Sequence, residues 1–215
     1  MEQSTKISVV IPVFNSESMV SELVSRLINV FREQKGYALE LILVNDGSSD
    51  NSWEAIKTQK VQNPEYVKAI NFTKKYGQHN AILGGFSFAS GSFVITMDDD
   101  LQHPPEEIPK LIEAQQLNDV DIVYGMPISK KHGAVRNMGS KVVRKTSSYN
   151  KQMDDGGSSF RMIKKHLTDV LVEKHSQHFL FLDSALNWHS TDIENVSVEH
   201  HQRKEGKSGY SLSKL

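Results

Sequence analysis

The chain has 215 residues, 38% hydrophobic and 24% charged, with a formal net charge of −1 and no cysteine. That length suits one well-cored domain and is too short for two large ones. The near-neutral balance excludes a purely electrostatic nucleic-acid binder; the missing thiols exclude disulfides and thiolate metal sites and fit a reducing compartment.

Residues 6–14, with Ile7-Ser-Val-Val-Ile-Pro-Val-Phe14, read as a buried strand. No signal-peptide pattern precedes it, and no stretch approaches the ~20 apolar residues that span a bilayer. Met19, Val20, Leu23, Val24, Leu27, Ile28 and Phe31 then recur at helical spacing. Residues 39–44 form a second strand, ending in the turn composition Asn45-Asp46-Gly47-Ser48-Ser49-Asp50. Asp50 is the expected N-cap of a helix carrying Trp53, Ala55 and Ile56. A strand is expected at 66–72, a helix with a small-residue face at 79–89 and a strand at 93–97. A helix opened by proline and acids follows at 105–117, then a strand at 121–124. This alternation predicts an α/β fold, a mostly parallel sheet with helices on both faces. Past residue 126 the pattern loosens into a basic helix near 134–149, a Gly/Ser turn at 156–159, a mixed helical region at 164–189 and a strand at 193–200. The chain stops at Ser-Leu-Ser-Lys-Leu215 without a closing signal and reads as a fragment of a longer protein.

The most informative stretch is Phe93-Val-Ile-Thr-Met-Asp-Asp-Asp-Leu-Gln-His-Pro-Pro105. A buried strand runs into three carboxylates at its carboxyl end, where open α/β sheets hold ligands. Strand alternation puts Asp98 and Asp100 on one side and Asp99 on the other. Two converging carboxylates repel unless a cation sits between them, and hard oxygen ligands suit Mg²⁺ or Mn²⁺, with a diphosphate as its companion. The same residues also read as a solvated loop capping the next helix. Two further strands end in polar clusters, Pro12-Val13-Phe14-Asn15 with Glu17, and Asp46-Gly47-Ser48, so three loops are expected on one rim. Dinucleotide and Walker phosphate loops are absent, and the first strand lacks the terminal acids of a phosphoacceptor domain. Glu199-His200-His201 reads as a solvated strand end, since neighbours on a strand point apart.

Four segments carry a resemblance: Val9-Val-Ile-Pro-Val-Phe-Asn-Ser-Glu17, Leu43-Val-Asn-Asp-Gly-Ser-Ser-Asp50, Tyr76-Gly-Gln-His-Asn-Ala-Ile82 and Met97-Asp-Asp-Asp-Leu-Gln-His-Pro-Pro-Glu-Glu-Ile-Pro109. Together they resemble the GT-A glycosyltransferases of family 2, which implies a Rossmann-like fold. The chain looks most like the polyprenyl-phosphate glycosyltransferases, which include dolichol-phosphate mannose synthases and bacterial undecaprenyl-phosphate sugar transferases. The subgroup signals are Arg136-x-x-x-Ser140, Asp155-Gly-Gly-Ser-Ser-Phe-Arg161 and Arg203-x-x-Gly206-Lys207-Ser208-Gly209-Tyr210-x-x-x-Lys214-Leu215.

By resemblance, Pro12, Phe14, Glu17 and Asp46 would hold the nucleotide, although Phe14 alone reads as well as a core aromatic. Asp98, Asp100 and Gln102 would hold Mg²⁺ or Mn²⁺, with Asp100, Arg136 and Arg203 expected in the catalytic set. Asp99 stands where the family often has a small residue and receives no role. Arg136 and Ser140, one helical turn apart, would hold the acceptor phosphate, while Lys130, Lys131, Lys141 and Lys145 read as a solvated or membrane-facing surface. Arg203 and Lys207, on a Gly-rich segment, could close over a diphosphate as a lid. Ser159 departs from the subgroup's usual glycine, which leaves the local turn open. The implied organisation is one catalytic domain over 1–215, with a nucleotide-sugar half at 1–125, an acceptor half at 126–215 and a membrane-anchoring region after Leu215.

The implied reaction is single displacement with inversion, from a nucleotide diphosphate sugar (UDP favoured, GDP the rival) to a polyprenyl phosphate at the cytoplasmic face of the membrane. A phosphate monoester, with a second pKa near ~6, is already an anionic nucleophile and needs cations more than a base. Two alternatives stay open: transfer to a saccharide hydroxyl, and a non-catalytic module that binds a nucleotide sugar.

Overall fold

The computed structural model describes residues 4–128, 158–174 and 181–201. Strand β1 (Thr5–Val13) leads through α1 (Val20–Glu33) to β2 (Tyr37–Asn45). There follow α2 (Ser52–Gln62), β3 (Val67–Asn71), α3 (Gln78–Phe86) and β4 (Phe93–Thr96). A 3₁₀ turn (Pro105–Glu107) opens α4 (Ile108–Asn118), and β5 (Ile122–Pro127) closes the first stretch. Then come β6 (Arg161–Lys164), α5 (Lys165–Lys174), α6 (Leu182–His189) and β7 (Ile193–Val198).

The described strands form one seven-stranded sheet in the order β3-β2-β1-β4-β6-β5-β7. Only β6 opposes the others, pairing antiparallel with β4 and β5. The expected mostly parallel sheet is therefore present, with one reversed strand that no periodicity announced. The chain steps outward from β1 to β2 and β3, then returns to β4 on the other side of β1. That reversal makes the carboxyl ends of β1 and β4 a topological switch point, the usual ligand crevice of such sheets.

Alternation along the strands builds a core on each face. Ile7, Val9 and Ile11 of β1 join Leu41 and Leu43 of β2 against Leu23 and Leu27 of α1 and Leu111 of α4. On the other face Val10, Ile42 and Val44 meet Ile82 and Phe86 of α3, Leu171 of α5 and Leu186 of α6. The small-residue face of α3 is what allows this approach, since a Cβ at Gly85 would collide with Val10.

Several local expectations need correction. The fourth strand stops at Thr96, so alternation does not govern Asp98, Asp99 and Asp100, which lie in the turn beyond it. Asn51, not Asp50, is the N-cap of α2, but the Asp50 carboxylate still accepts the Ser52 N–H and hydroxyl. The mixed region 164–189 contains two helices, and the final strand ends at Val198 because β5, its pairing partner, ends at Pro127. The basic helix near 134–149 lies outside the described residues.

At the opposite end of the sheet from the crevice, Glu40 ties β2 to β1 and to the turn before β4. Its carboxylate accepts the Ser8 hydroxyl, the Ser90 N–H and hydroxyl, and the Lys68 ammonium at 2.7 Å. Burial pushes its pKa up, but the bonds from Lys68, Ser8 and Ser90 outweigh burial and hold it at about 2 instead of 4.5. A depressed carboxyl pKa gives stability that is full above about pH 4.5 and lost as pH falls through about 2. Glu40→Ala is expected to cost about 2–3 kcal/mol in denaturant unfolding at neutral pH, because it strands several donors at once. The deficit should shrink as pH falls through that window.

Candidate active site

The β1, β2, β3 and β4 exits are stitched into one crevice by hydrogen bonds between residues far apart in sequence. The Phe14 N–H donates to the Asp99 carboxylate at 3.0 Å, joining the first loop to the fourth. The Asn15 N–H donates to the Ser48 hydroxyl at 3.1 Å, and Asn15 Oδ1 accepts the Ser49 N–H at 2.8 Å, joining the first loop to the second. Glu17 extends that seam, its carboxylate accepting the Asn51 N–H at 2.8 Å. Pro12 is buried within β1, opposite Val44.

Asp46 anchors the third loop. It is only 2% exposed, and its two carboxylate oxygens accept the Tyr76 N–H at 2.7 Å and the Gly77 N–H at 2.9 Å. Gly47 beside it has φ +65°, and a Cβ there would lie 2.5 Å from backbone atoms of Lys74 and Lys75. Glycine alone lets these two loops close together. The Lys75 ammonium lies 3.5 Å from the centre of the Phe14 ring, so the half-exposed aromatic is a wall of the crevice and not part of the core.

The carboxylate turn is held from several sides. Asp98 Oδ1 accepts Gln78 Nε2 at 2.5 Å and Oδ2 accepts the Ser159 hydroxyl at 2.7 Å. Asp100, buried, accepts the Gln102 N–H at 3.0 Å. Gln102 directs its amide nitrogen to the His201 carbonyl at 3.4 Å, which leaves Oε1 as the end able to ligate. Leu101 between them has φ 58°, a conformation costing a non-glycine residue on the order of 1–3 kcal/mol and concentrated at functional turns. His103 is buried with its ring stacked on Phe160, centroids 5.3 Å apart, and burial, then His200, push its pKa down to about 4. It stays neutral here and packs.

Asp99, given no role from the sequence, is the pin between the first and fourth loops. Burial, with repulsion from Asp98 and Asp100, raises its pKa to about 6 despite bonds from Ser16 and the Phe14 N–H. A divalent cation beside these three neighbouring carboxylates would relieve their mutual repulsion. Among the described residues no set of three or more His, Cys, Asp and Glu side chains could form an all-protein cage. Two carboxylates and an amide oxygen instead fit Mg²⁺ or Mn²⁺, with substrate phosphates completing the shell. Gln78, Asp99 and Ser159 hold places in the site that sequence reasoning did not assign, and Asn15, expected on the rim, has the specific task of tying the first loop to the second. In that order their partners lie 20, 85, 61 and 34 residues away along the chain, beyond the reach of any local pattern. Arg136, Ser140, Arg203 and Lys207 lie outside the described residues, as does the proposed lid.

Comparison with known proteins agrees with this geometry. The family described as Glycosyl transferase family 2 matches residues 8–175. An undecaprenyl-phosphate 4-deoxy-4-formamido-L-arabinose transferase of Proteus mirabilis is 35% identical over 216 residues, covering 100% of this chain and 65% of that protein. The Sodalis glossinidius protein of the same name is 35% identical, covering 98% of this chain and 64% of its own length. The chain thus spans just under two thirds of these relatives. Among solved structures, a mannosyltransferase from Pyrobaculum calidifontis in complex with GDP-Man and Mn²⁺ superposes with a TM-score of 0.67 at 13% identity, over 94% of this chain and 59% of that one. Glucosyl-3-phosphoglycerate synthase from Mycobacterium tuberculosis, in complex with Mn²⁺, UDP and glucosyl-3-phosphoglycerate, gives 0.62 at 15% identity, over 94% of this chain and 73% of that one. These two establish the fold class as GT-A. With the family match spanning most of its length and its crevice at the switch point of a GT-A sheet, the chain belongs to glycosyl transferase family 2.

Proposed function

We propose that this chain is the catalytic domain of a metal-dependent, inverting glycosyltransferase. It takes a sugar from a nucleotide diphosphate, UDP ahead of GDP, and delivers it to a polyprenyl phosphate at the cytoplasmic face of a membrane. The observation that carries the reading is the convergence of four hydrogen-bonded loops on the Asp98–Asp100–Gln102 turn. The acceptor class rests on the relatives, which are named for transfer to undecaprenyl phosphate. No described helix is long and apolar enough to cross a membrane.

Within this reading Pro12, Phe14, Glu17 and Asp46 shape the nucleotide pocket, and Lys75 adds positive charge at its mouth. Asp98, Asp100 and Gln102 hold Mg²⁺ or Mn²⁺. The bound ion supplies charge neutralisation for the departing diphosphate. Asp99 keeps Phe14 in place while the nucleotide enters. Arg136 and Ser140 hold the acceptor phosphate with its oxygen aimed at the anomeric carbon, and Arg203 meets developing diphosphate charge. The nucleophile is already anionic at neutral pH, so no side chain has to remove a proton.

A panel of UDP- and GDP-sugars offered with Mn²⁺ to a short polyprenyl phosphate, and in parallel to saccharide acceptors, tests the proposal. Transfer to the lipid phosphate with inverted configuration is expected. Transfer only to saccharide hydroxyls would move the chain to a different acceptor class. Nucleotide-sugar binding without turnover on any acceptor would make it a binding module.

A further inference from the structure

Arg161 at the start of β6 is 1% exposed, an unusual place for a guanidinium. Burying a charge is expensive unless every polar end is satisfied, and apolar replacements of such groups are often at least as stable. Arg161 forms an ion pair with Asp183 of α6, donates Nε–H to the Thr96 hydroxyl at 3.1 Å, and lies against the Tyr124 ring at 5.8 Å. Because its oxygen accepts from Arg161, the Thr96 hydroxyl turns its own proton away, onto the Ser159 carbonyl at 2.7 Å. Ser159, with its backbone held there, donates its hydroxyl to Asp98 Oδ2 at 2.7 Å.

The sheet register explains this line-up. Strands β4 and β6 are antiparallel with Thr96 opposite Arg161. Asp98 follows Thr96 by two residues and Ser159 precedes Arg161 by two, so both leave the sheet at the same edge. The one reversed strand therefore faces the carboxylate turn with a donor that a parallel neighbour would not place there. We propose that Ser159 and Arg161 are positioning residues: Ser159 fixes the rotamer of the Asp98 carboxylate, and Arg161 fixes Ser159 through Thr96. The line Asp183–Arg161–Thr96–Ser159 then acts as outer support for a metal ligand, and such partners commonly change metal affinity 10- to 100-fold when removed. This inference rests on the metal role given to Asp98 above.

The test is the affinity for Mn²⁺ in the presence of UDP or GDP, read from the electron paramagnetic resonance signal of free Mn²⁺, with apo thermal unfolding followed by circular dichroism. Ser159→Ala should weaken Mn²⁺ binding about tenfold with little change in apo unfolding. Ser159→Thr, which keeps the hydroxyl, should restore most of the loss. In transfer assays the Mn²⁺ concentration for half-maximal rate should rise with Ser159→Ala, while kcat at saturating Mn²⁺ stays within a few-fold. Arg161→Lys keeps the charge beside Asp183 but loses the Nε donor, and should weaken Mn²⁺ binding in the same direction. Ser159→Ala with wild-type Mn²⁺ affinity overturns the inference and leaves the proposed function standing, whatever Arg161→Lys does to the fold. Wild-type protein that binds no Mn²⁺ with either nucleotide overturns the metal reading itself and this inference with it.

Discussion

Asp100→Ala is expected to abolish sugar transfer and most metal-dependent nucleotide affinity while leaving a folded protein. Asp100 sits in a turn after β4, not within the sheet, and its carboxylate accepts the local Gln102 N–H. Losing one such bond costs roughly 1 kcal/mol of stability. The functional loss should be far larger, because the metal site loses one of its two anionic ligands. Several kcal/mol of transition-state stabilisation corresponds to a rate loss on the order of 10³-fold or more. Initial rates with a saturating donor, set beside thermal unfolding, separate the two effects. A variant that turns over within tenfold of wild type would remove Asp100 from the site.

Asp46→Asn is expected to damage both folding and donor binding. The wild-type carboxylate accepts two backbone N–H groups while almost fully buried. An amide keeps one oxygen and turns an NH₂ towards the other N–H, so one buried donor is left unsatisfied at a cost of about 1–3 kcal/mol. The loop so released carries Gln78, which holds Asp98, and adjoins Lys75, which packs on Phe14. Nucleotide affinity should therefore fall at least about tenfold, in step with a lowered unfolding midpoint. Loss of affinity with unchanged stability would mean that Asp46 acts by direct contact alone and that the loop is held by other groups.

These expectations show where the sequence was readable. The first five strands and four helices followed from apolar runs and helical spacing, because each has its own buried face and its own turn residues. The rim of polar strand ends followed from the α/β alternation, since parallel strands point their carboxyl ends one way. The short strand Arg161–Lys164 was not legible. Four residues preceded by a Gly- and Ser-rich run and followed by a helix carry too little periodicity to announce a reversal. Missing that strand hid Ser159 and Arg161, whose contacts with Asp98 and Thr96 exist only through its register. Asp99 was passed over for a related reason. Strand alternation was extended into a turn where it no longer applies, and the residue that seemed to point away holds the first loop.

The central claim is that the crevice at the ends of β1, β2 and β4 is a metal-dependent nucleotide diphosphate site. Calorimetric titration of UDP and GDP into the protein, once with Mn²⁺ and once with a chelator, addresses it directly. At least one nucleotide should bind with Mn²⁺ and lose most of its affinity when the ion is removed. Equal affinity in the two conditions would contradict the assignment of Asp98, Asp100 and Gln102 to a metal and would reduce the carboxylate turn to a structural loop.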